Sequence, residues 1–197
     1  NAEDTLRTSI ESVLSQSLKN IELLCINDRS PDGSQAIIDE YAQKDSRVVP
    51  ILNPKNIGHG ASRNVGIEKA RGGHIFHLDP DDKLPDGALE RIHALSVKYG
   101  SDMTRGAYWH EQLLLGQGSD RKERKGRKQG AQHLVNTTLK ETPALLNHTE
   151  GHWAFLYKTD FARTVKYPED LKMGQDSLFI VNAMINAQSI SLTDALV

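Results

Sequence analysis

Asp79, Asp81 and Asp82 put three carboxylates within four positions, directly after the strand-like run Ile75-Phe76-His77-Leu78. In near-extended backbone Asp79 and Asp81 share one side, so both can reach a single hard cation. Mg²⁺ or Mn²⁺ held by one or two carboxylates keeps positions open for phosphate oxygens. Three like charges this close repel, and a bound cation relieves that repulsion. Asp86 sits nearer the next helix and reads as its cap. Asp28 closes an earlier strand, where an acceptor-only carboxylate suits a uracil imide or a ribose hydroxyl. Asn56, Gly58, Gly60 and Arg63 follow in a stretch that opens a helix. Glycine there permits close backbone approach to a ligand, and an Arg can reach phosphate or uracil oxygens. Asp176 opens a later amphipathic helix. A carboxylate at a helix start is ordinarily a cap, but the same location keeps it ionised, as a general base must be.

The remaining polar motifs point to less. His74 and His77 are three apart in a strand and face opposite ways, so they cannot share a metal. His148 and His152 have the i, i+4 spacing of a helical zinc pair, but Glu does not follow the first His and Gly151 weakens the helix, which argues against zinc. Cys25 stands alone and can form neither an internal disulfide nor a thiolate zinc site.

These residues need a scaffold, and the apolar periodicity supplies one. A helix over residues 6–18 is followed by a strand at 21–27, a helix from 34, and a strand at 47–52 that Pro50 should confine to an edge. A helix at 61–70, a strand at 73–78, a helix carrying Ala88, Ile92 and Leu95, and a strand at 102–109 continue the alternation. Such alternation predicts an α/β fold: an open, mostly parallel, Rossmann-like sheet with helices on both faces in three α/β/α layers. The count begins on a helix, so a first strand is expected ahead of it. In such sheets chemistry gathers at the carboxyl ends of the strands, where Asp28 and Asp79 lie. Residues 116–130 break the pattern with Arg121, Lys122, Arg124, Lys125, Arg127 and Lys128. They read as a solvated loop, with a patch for anionic headgroups or a diphosphate-linked acceptor as the sharper alternative. Helices at 132–139 and 175–187 and a last strand at Ile190 and Leu192 complete the reading.

The composition narrows the function. The 197 residues are expected to form one domain, 1–197. Lys and Arg total 24 against 26 Asp and Glu, a net charge of −2, which argues against nucleic acid as a partner. No apolar run is long enough to span a membrane and no leader is evident, so a cytoplasmic location is expected, with peripheral contact at the inner membrane face as its variant. No motif points to a protein partner.

In order and spacing the motifs resemble those of family-2 glycosyltransferases with the GT-A fold. Ile26-Asn27-Asp28-Arg29-Ser30-Pro31-Asp32-Gly33-Ser34 matches the family's DDGSxD loop. The segment from Asn56 to Asn64 matches NxGxxxARN, the run from His77 to Asp82 carries Asp-x-Asp, and Met173-Gly174-Gln175-Asp176 matches the GED base motif. The resemblance implies inverting transfer of a sugar from a nucleoside-diphosphate donor, most often UDP-linked, to a hydroxyl of a glycan or lipid-linked acceptor, in polysaccharide or cell-envelope synthesis. It implies Asp176 as base, Asp28, Asn56, Gly60, Arg63 and Asp79 as nucleotide-binding residues, and Asp79 with Asp81 as ligands of Mg²⁺ or Mn²⁺. It also implies a nucleotide-sugar-binding half at 1–110 and an acceptor-side half at 111–197, with Trp109, His152 and Trp153 as acceptor-side candidates. Arg29 departs from the family's Gly, and Gln175 from its Glu. Two alternatives stand beside it: a domain that binds a nucleotide sugar without turnover, and an aspartate-nucleophile phosphatase, whose motif is also a strand followed by Asp-x-Asp. Lys83 occupies the place where such phosphatases carry Thr or Val.

Overall fold

Apolar residues alternate along the strands between two helical layers, and that alternation organises the molecule. A computed structural model describes residues 2–115, 122–129, 133–171 and 173–197. Helix α1 (Leu6–Leu14) buries Leu6, Ile10 and Val13 on one stripe and is shorter than the sequence suggests. Strand β1 (Leu23–Asn27) pairs in parallel with β2 (Val48–Leu52), with α2 (Ser34–Lys44) as the crossover. Among the described residues β2 has no second neighbour, so Pro50, opposite Cys25, sits on an edge as expected. Then follow α3 (His59–Lys69), β3 (His74–Phe76) and α4 (Ala88–Tyr99), which stops at Gly100 with φ +63°.

The second half adds β4 (Met103–Leu115), β5 (Lys122–Gln129), β6 (Leu134–Thr137), β7 (Phe155–Lys158), α5 (Thr159–Ala162), α6 (Gln175–Asn186) and β8 (Ile190–Leu196). Short 3₁₀ turns cover Pro143–His148 and His152–Ala154. The six-stranded sheet runs β3-β7-β4-β8-β6, with β5 attached to β4. β4 and β8 are parallel, whereas β7 is antiparallel to both β3 and β4, and β5 and β6 are antiparallel to their partners. The parallel pairings thus sit beside several antiparallel ones. β1 and β3 share no ladder.

The α/β architecture is the one expected, with helices on both faces. Ile75, Phe155 and Tyr157 face α3 and α6 in a cluster with Ile67, Phe179 and Met184. Their neighbours Phe76 and Leu156 face the other way, onto Val13 of α1 and Ile92 of α4. A third cluster joins Ile10, Ile37, Ile38 and Val48 across α1, α2 and the first sheet. Each large side chain fully buried here contributes about 2 kcal/mol.

Two expectations in the second half are corrected. The helix at 132–139 is replaced by strand β6, which pairs Leu134 with Leu192 and Thr137 with Ile190. Its β-branched Val135 and Thr137 suit a strand, and Leu134 packs on the core. The basic loop at 116–130 is strand over Lys122–Gln129, while residues 116–121 and 130 lie outside the described residues. A backbone ladder does not depend on apolar composition, so the charge run hid it. Asp86 does not cap α4 either: Gly87 holds the cap position with no side-chain bond.

Candidate active site

Four elements converge on two carboxylates. Asp79 follows β3 and Asp176 lies in the first turn of α6, entered through Gly174 at φ +76°. Between them stands Arg63, on the second turn of α3. Its Nη1 donates to Asp176 Oδ1 at 2.7 Å and its Nη2 to Asp79 Oδ1 at 3.0 Å. One guanidinium fork therefore ties Arg63 to a carboxylate 113 positions away in sequence and to Asp79 as well. The guanidinium also lies over the Tyr167 ring, 5.4 Å from its centroid.

His152 closes the other side, from the 3₁₀ turn before β7. Its Nδ1 is 3.2 Å from Asp176 Oδ2 and its Nε2 is 3.4 Å from Asp79 Oδ1. Both nitrogens are enclosed and neither makes an aligned hydrogen bond, so the two contacts act chiefly as charge attraction. Burial lowers the proton affinity of His152, but Asp176 and Asp79 outweigh it and raise its pKa. Burial would raise Asp79, yet His152 and Arg63 bring it down to about 2. Asp176 is likewise lowered: burial and Asp79 push up, while His152 and Arg63 pull down more strongly. Both carboxylates are thus ionised at neutral pH. Asp176 is the more open, with 36% of its side chain exposed against 27% for Asp79 and none for His152. A carboxylate that meets an incoming hydroxyl has to be the accessible one.

The supporting residues come from the same elements. Asn64 accepts from the Tyr167 amide at 2.9 Å and donates to the Tyr167 carbonyl at 3.0 Å and to Glu169 at 2.9 Å. This staples α3 to the segment leading into α6. A side chain at Gly60 would clash with the Pro168 carbonyl, so close packing of α3 on that segment demands glycine there. His77 packs against Tyr167 and Phe179 beneath the cluster, and burial pushes its pKa down to about 3. His74 meets His93 on the opposite face, as the strand spacing requires.

Asp28 has a different environment. Its Oδ1 accepts from Asn53 and from the Ile57 amide, each at 2.9 Å, and its Oδ2 from the Gly58 amide at 2.8 Å. Burial would raise its pKa, but these bonds hold it below the usual carboxylate range. Asn56 donates to the Asp28 carbonyl at 2.9 Å. Asp28 and Asn56 therefore tie β1 to the start of α3. Arg29 takes φ +62°, the left-handed conformation that glycine favours. Asp81 is exposed at the far end of the Asp79 loop. The structure thus joins Arg63, Asp79 and Asp176 directly, sets Asp28, Asn56 and Gly60 around α3, and leaves Asp81 open.

Among the described residues no group of three or more His, Cys, Asp or Glu is arranged so that it could hold a metal ion by itself. The donor set still fits a hard cation. Asp79 Oδ1 is taken by Arg63 and His152, which leaves its second oxygen and the Asp81 carboxylate on one loop. Two carboxylates with diphosphate oxygens suffice for Mg²⁺ or Mn²⁺. Sequence reasoning weighed His152 for a zinc pair with His148, which it argued against, and for the acceptor side. Its place between Asp79 and Asp176 had no local signal, because the contact is purely tertiary.

Residues 1–164 match the family described as Glycosyl transferase family 2. The chain belongs to that family. Family membership sets aside the phosphatase reading. EpsJ of Bacillus subtilis, an uncharacterized glycosyltransferase, is 28% identical over 98% of this chain and 56% of its own length. The poly(ribitol-phosphate) beta-glucosyltransferase of Bacillus spizizenii is 29% identical over 98% of this chain and 29% of its own. Staphylococcus aureus TarS in complex with UDP superposes with a TM-score of 0.78 at 22% identity, over 100% of this chain and 58% of that one. This likeness shows the GT-A fold. The chain spans about half or less of the length of these relatives.

Proposed function

We propose that this family-2 glycosyltransferase domain moves a sugar from a UDP-linked donor to an acceptor hydroxyl with inversion, and that Asp176 is the base. The observation that carries the reading is the position of Asp176: ionised, the most open member of the cluster, and joined through Arg63 to the Asp79 loop. The acceptor oxygen attacks the anomeric carbon as its proton passes to Asp176. The bond from that carbon to the diphosphate oxygen breaks, and its electron pair leaves with UDP. Arg63 presents a guanidinium beside the loop that would receive the diphosphate, where it can neutralise developing charge. Mg²⁺ or Mn²⁺ bound by Asp79 and Asp81 would supply further neutralisation of the leaving group. Asp28, Asn56 and Gly60 shape the nucleotide side by fixing the start of α3 against β1. A depressed pKa makes Asp176 a weak base, and burial of the reacting centre on donor binding would raise it.

The relative named as a poly(ribitol-phosphate) beta-glucosyltransferase supports a glycan or lipid-linked acceptor in cell-envelope synthesis. No helix among the described residues is long and apolar enough to cross a membrane. Asp176→Asn should lower turnover by roughly 10²–10⁴ while UDP affinity stays nearly intact. Unchanged turnover removes the assignment of the base. UDP binding without turnover in the unaltered chain would leave a nucleotide-sugar-binding domain instead.

A further inference from the structure

His152 touches both carboxylates of the cluster yet takes no part in the transfer as derived above. It opens the 3₁₀ turn His152–Ala154, which is entered through Gly151 at φ +76° and closed by the Ala154 amide donating to the Gly151 carbonyl at 2.9 Å. That turn leads directly into β7, which is paired on both sides, by β3 and by β4. Trp153 meets the imidazole edge-on with ring centroids 5.1 Å apart, and the His77 ring lies 6.0 Å away. The ring is 0% exposed. Enclosed in this way, its two nitrogens are fixed points.

Asp176 has no such enclosure. It stands in the first turn of α6, whose cap position is Gly174 with no side-chain bond. Arg63 holds Asp176 Oδ1 by one hydrogen bond of 2.7 Å, and a single bond leaves a carboxylate free to turn about it. His152 Nδ1, 3.2 Å from Oδ2, blocks that rotation. Contacts on both oxygens fix the carboxylate plane, and with it the direction of the lone pair that must meet the acceptor hydroxyl. On the other side of the ring, Nε2 rests 3.4 Å from Asp79 Oδ1, so the same imidazole spaces the base from the Asp79 loop.

Two other roles can be weighed. A residue placed only for packing would serve better as an apolar one, because a buried imidazole with neither nitrogen in an aligned hydrogen bond burdens the fold. A metal ligand would need companions, and among the described residues no group of three His, Cys, Asp or Glu is so arranged.

We propose that His152 is a positioning residue for the base, fixing the Asp176 carboxylate through Oδ2; this rests on the reading of Asp176 as the base. The test is UDP release from UDP-glucose and UDP-N-acetylglucosamine with water as acceptor, beside UDP affinity by calorimetry. His152→Leu fills the site and removes both nitrogens. Its kcat should fall roughly 10–10²-fold, with UDP affinity and donor KM nearly unchanged, which also shows that the variant has folded. An Asn amide takes the place of Nδ1 and a Gln amide that of Nε2, so His152→Asn should recover most of the rate and His152→Gln little. Combined with Asp176→Asn, His152→Leu should lower the rate no further, since the two side chains act as a unit. An unchanged kcat in His152→Leu, recovery by Gln in place of Asn, or full additivity with Asp176→Asn would overturn the proposal. UDP affinity falling in step with kcat would also overturn it and leave a structural residue. Release lost in Asp176→Asn but kept in His152→Leu removes this inference alone, whereas no release by the unaltered chain, or release kept in Asp176→Asn, removes the reading on which it rests.

Discussion

The loops that follow β1 and β3 each carry a buried or half-buried carboxylate held below its ordinary pKa, by opposite means. Asp28 is satisfied by neutral donors from a short neighbouring stretch: the Asn53 side chain and the Ile57 and Gly58 amides. Asp79 is held by side chains from distant elements, the Arg63 guanidinium of α3 and the His152 imidazole before β7. The first arrangement builds a loop. The second assembles a site, because the same two groups also hold Asp176. A carboxylate consumed by donors of its own loop has little capacity left for a ligand, whereas Asp79 keeps one oxygen outside its contacts with Arg63 and His152.

Removing the shared cation should have the largest effect. Arg63→Ala leaves Asp79 and Asp176 facing each other with His152 as their only common partner. Turnover is expected to fall by roughly 10²–10³, and denaturant melts should show a loss of about 2 kcal/mol. An unaltered rate in steady-state kinetics would mean that the bridge has no part in the site. At the other loop, Asp28→Ala strands the Ile57 and Gly58 amides and should cost about 3 kcal/mol in a urea melt, with Asp28→Asn intermediate. If Asp28→Ala keeps full stability but abolishes UDP affinity, Asp28 is a ligand contact and the contrast between the loops fails.

The smallest effect is a pH dependence. The folded pKa of Asp79, about 2, lies below its ordinary value of 3.8, so its contribution is present above about pH 4 and lost as pH falls through the folded value. That contribution is roughly 2 kcal/mol. The acid limb of the stability profile should therefore be shallower in Asp79→Asn. Identical limbs would show that Arg63 and His152 do not hold the charge.

The sequence told most where structure is local. Helices and strands through Tyr99 declare themselves because each buries one stripe or one face, and the chemistry-bearing loops fall where such an alternation must put them. Arg63, Asp79 and Asp176 could be named singly, but only the packing of α3 on the segment before α6, through Asn64 and Gly60, brings them together. His152 between two carboxylates is invisible for the same reason. Strand β5 escaped notice because its partner supplies backbone bonds that the charge run does not encode, and β6 because four residues give periodicity little to work on. Asp176 looked like a cap, yet its oxygens go to Arg63 and His152.

The division of labour between the loops can be measured in one experiment, calorimetric titration of UDP with and without Mn²⁺ into the unaltered chain, Asp81→Asn and Asp176→Asn. Asp81→Asn should abolish the gain in affinity that Mn²⁺ confers, and Asp176→Asn should retain it. The reverse pattern, with UDP affinity lost at Asp176 and kept at Asp81, would contradict the account.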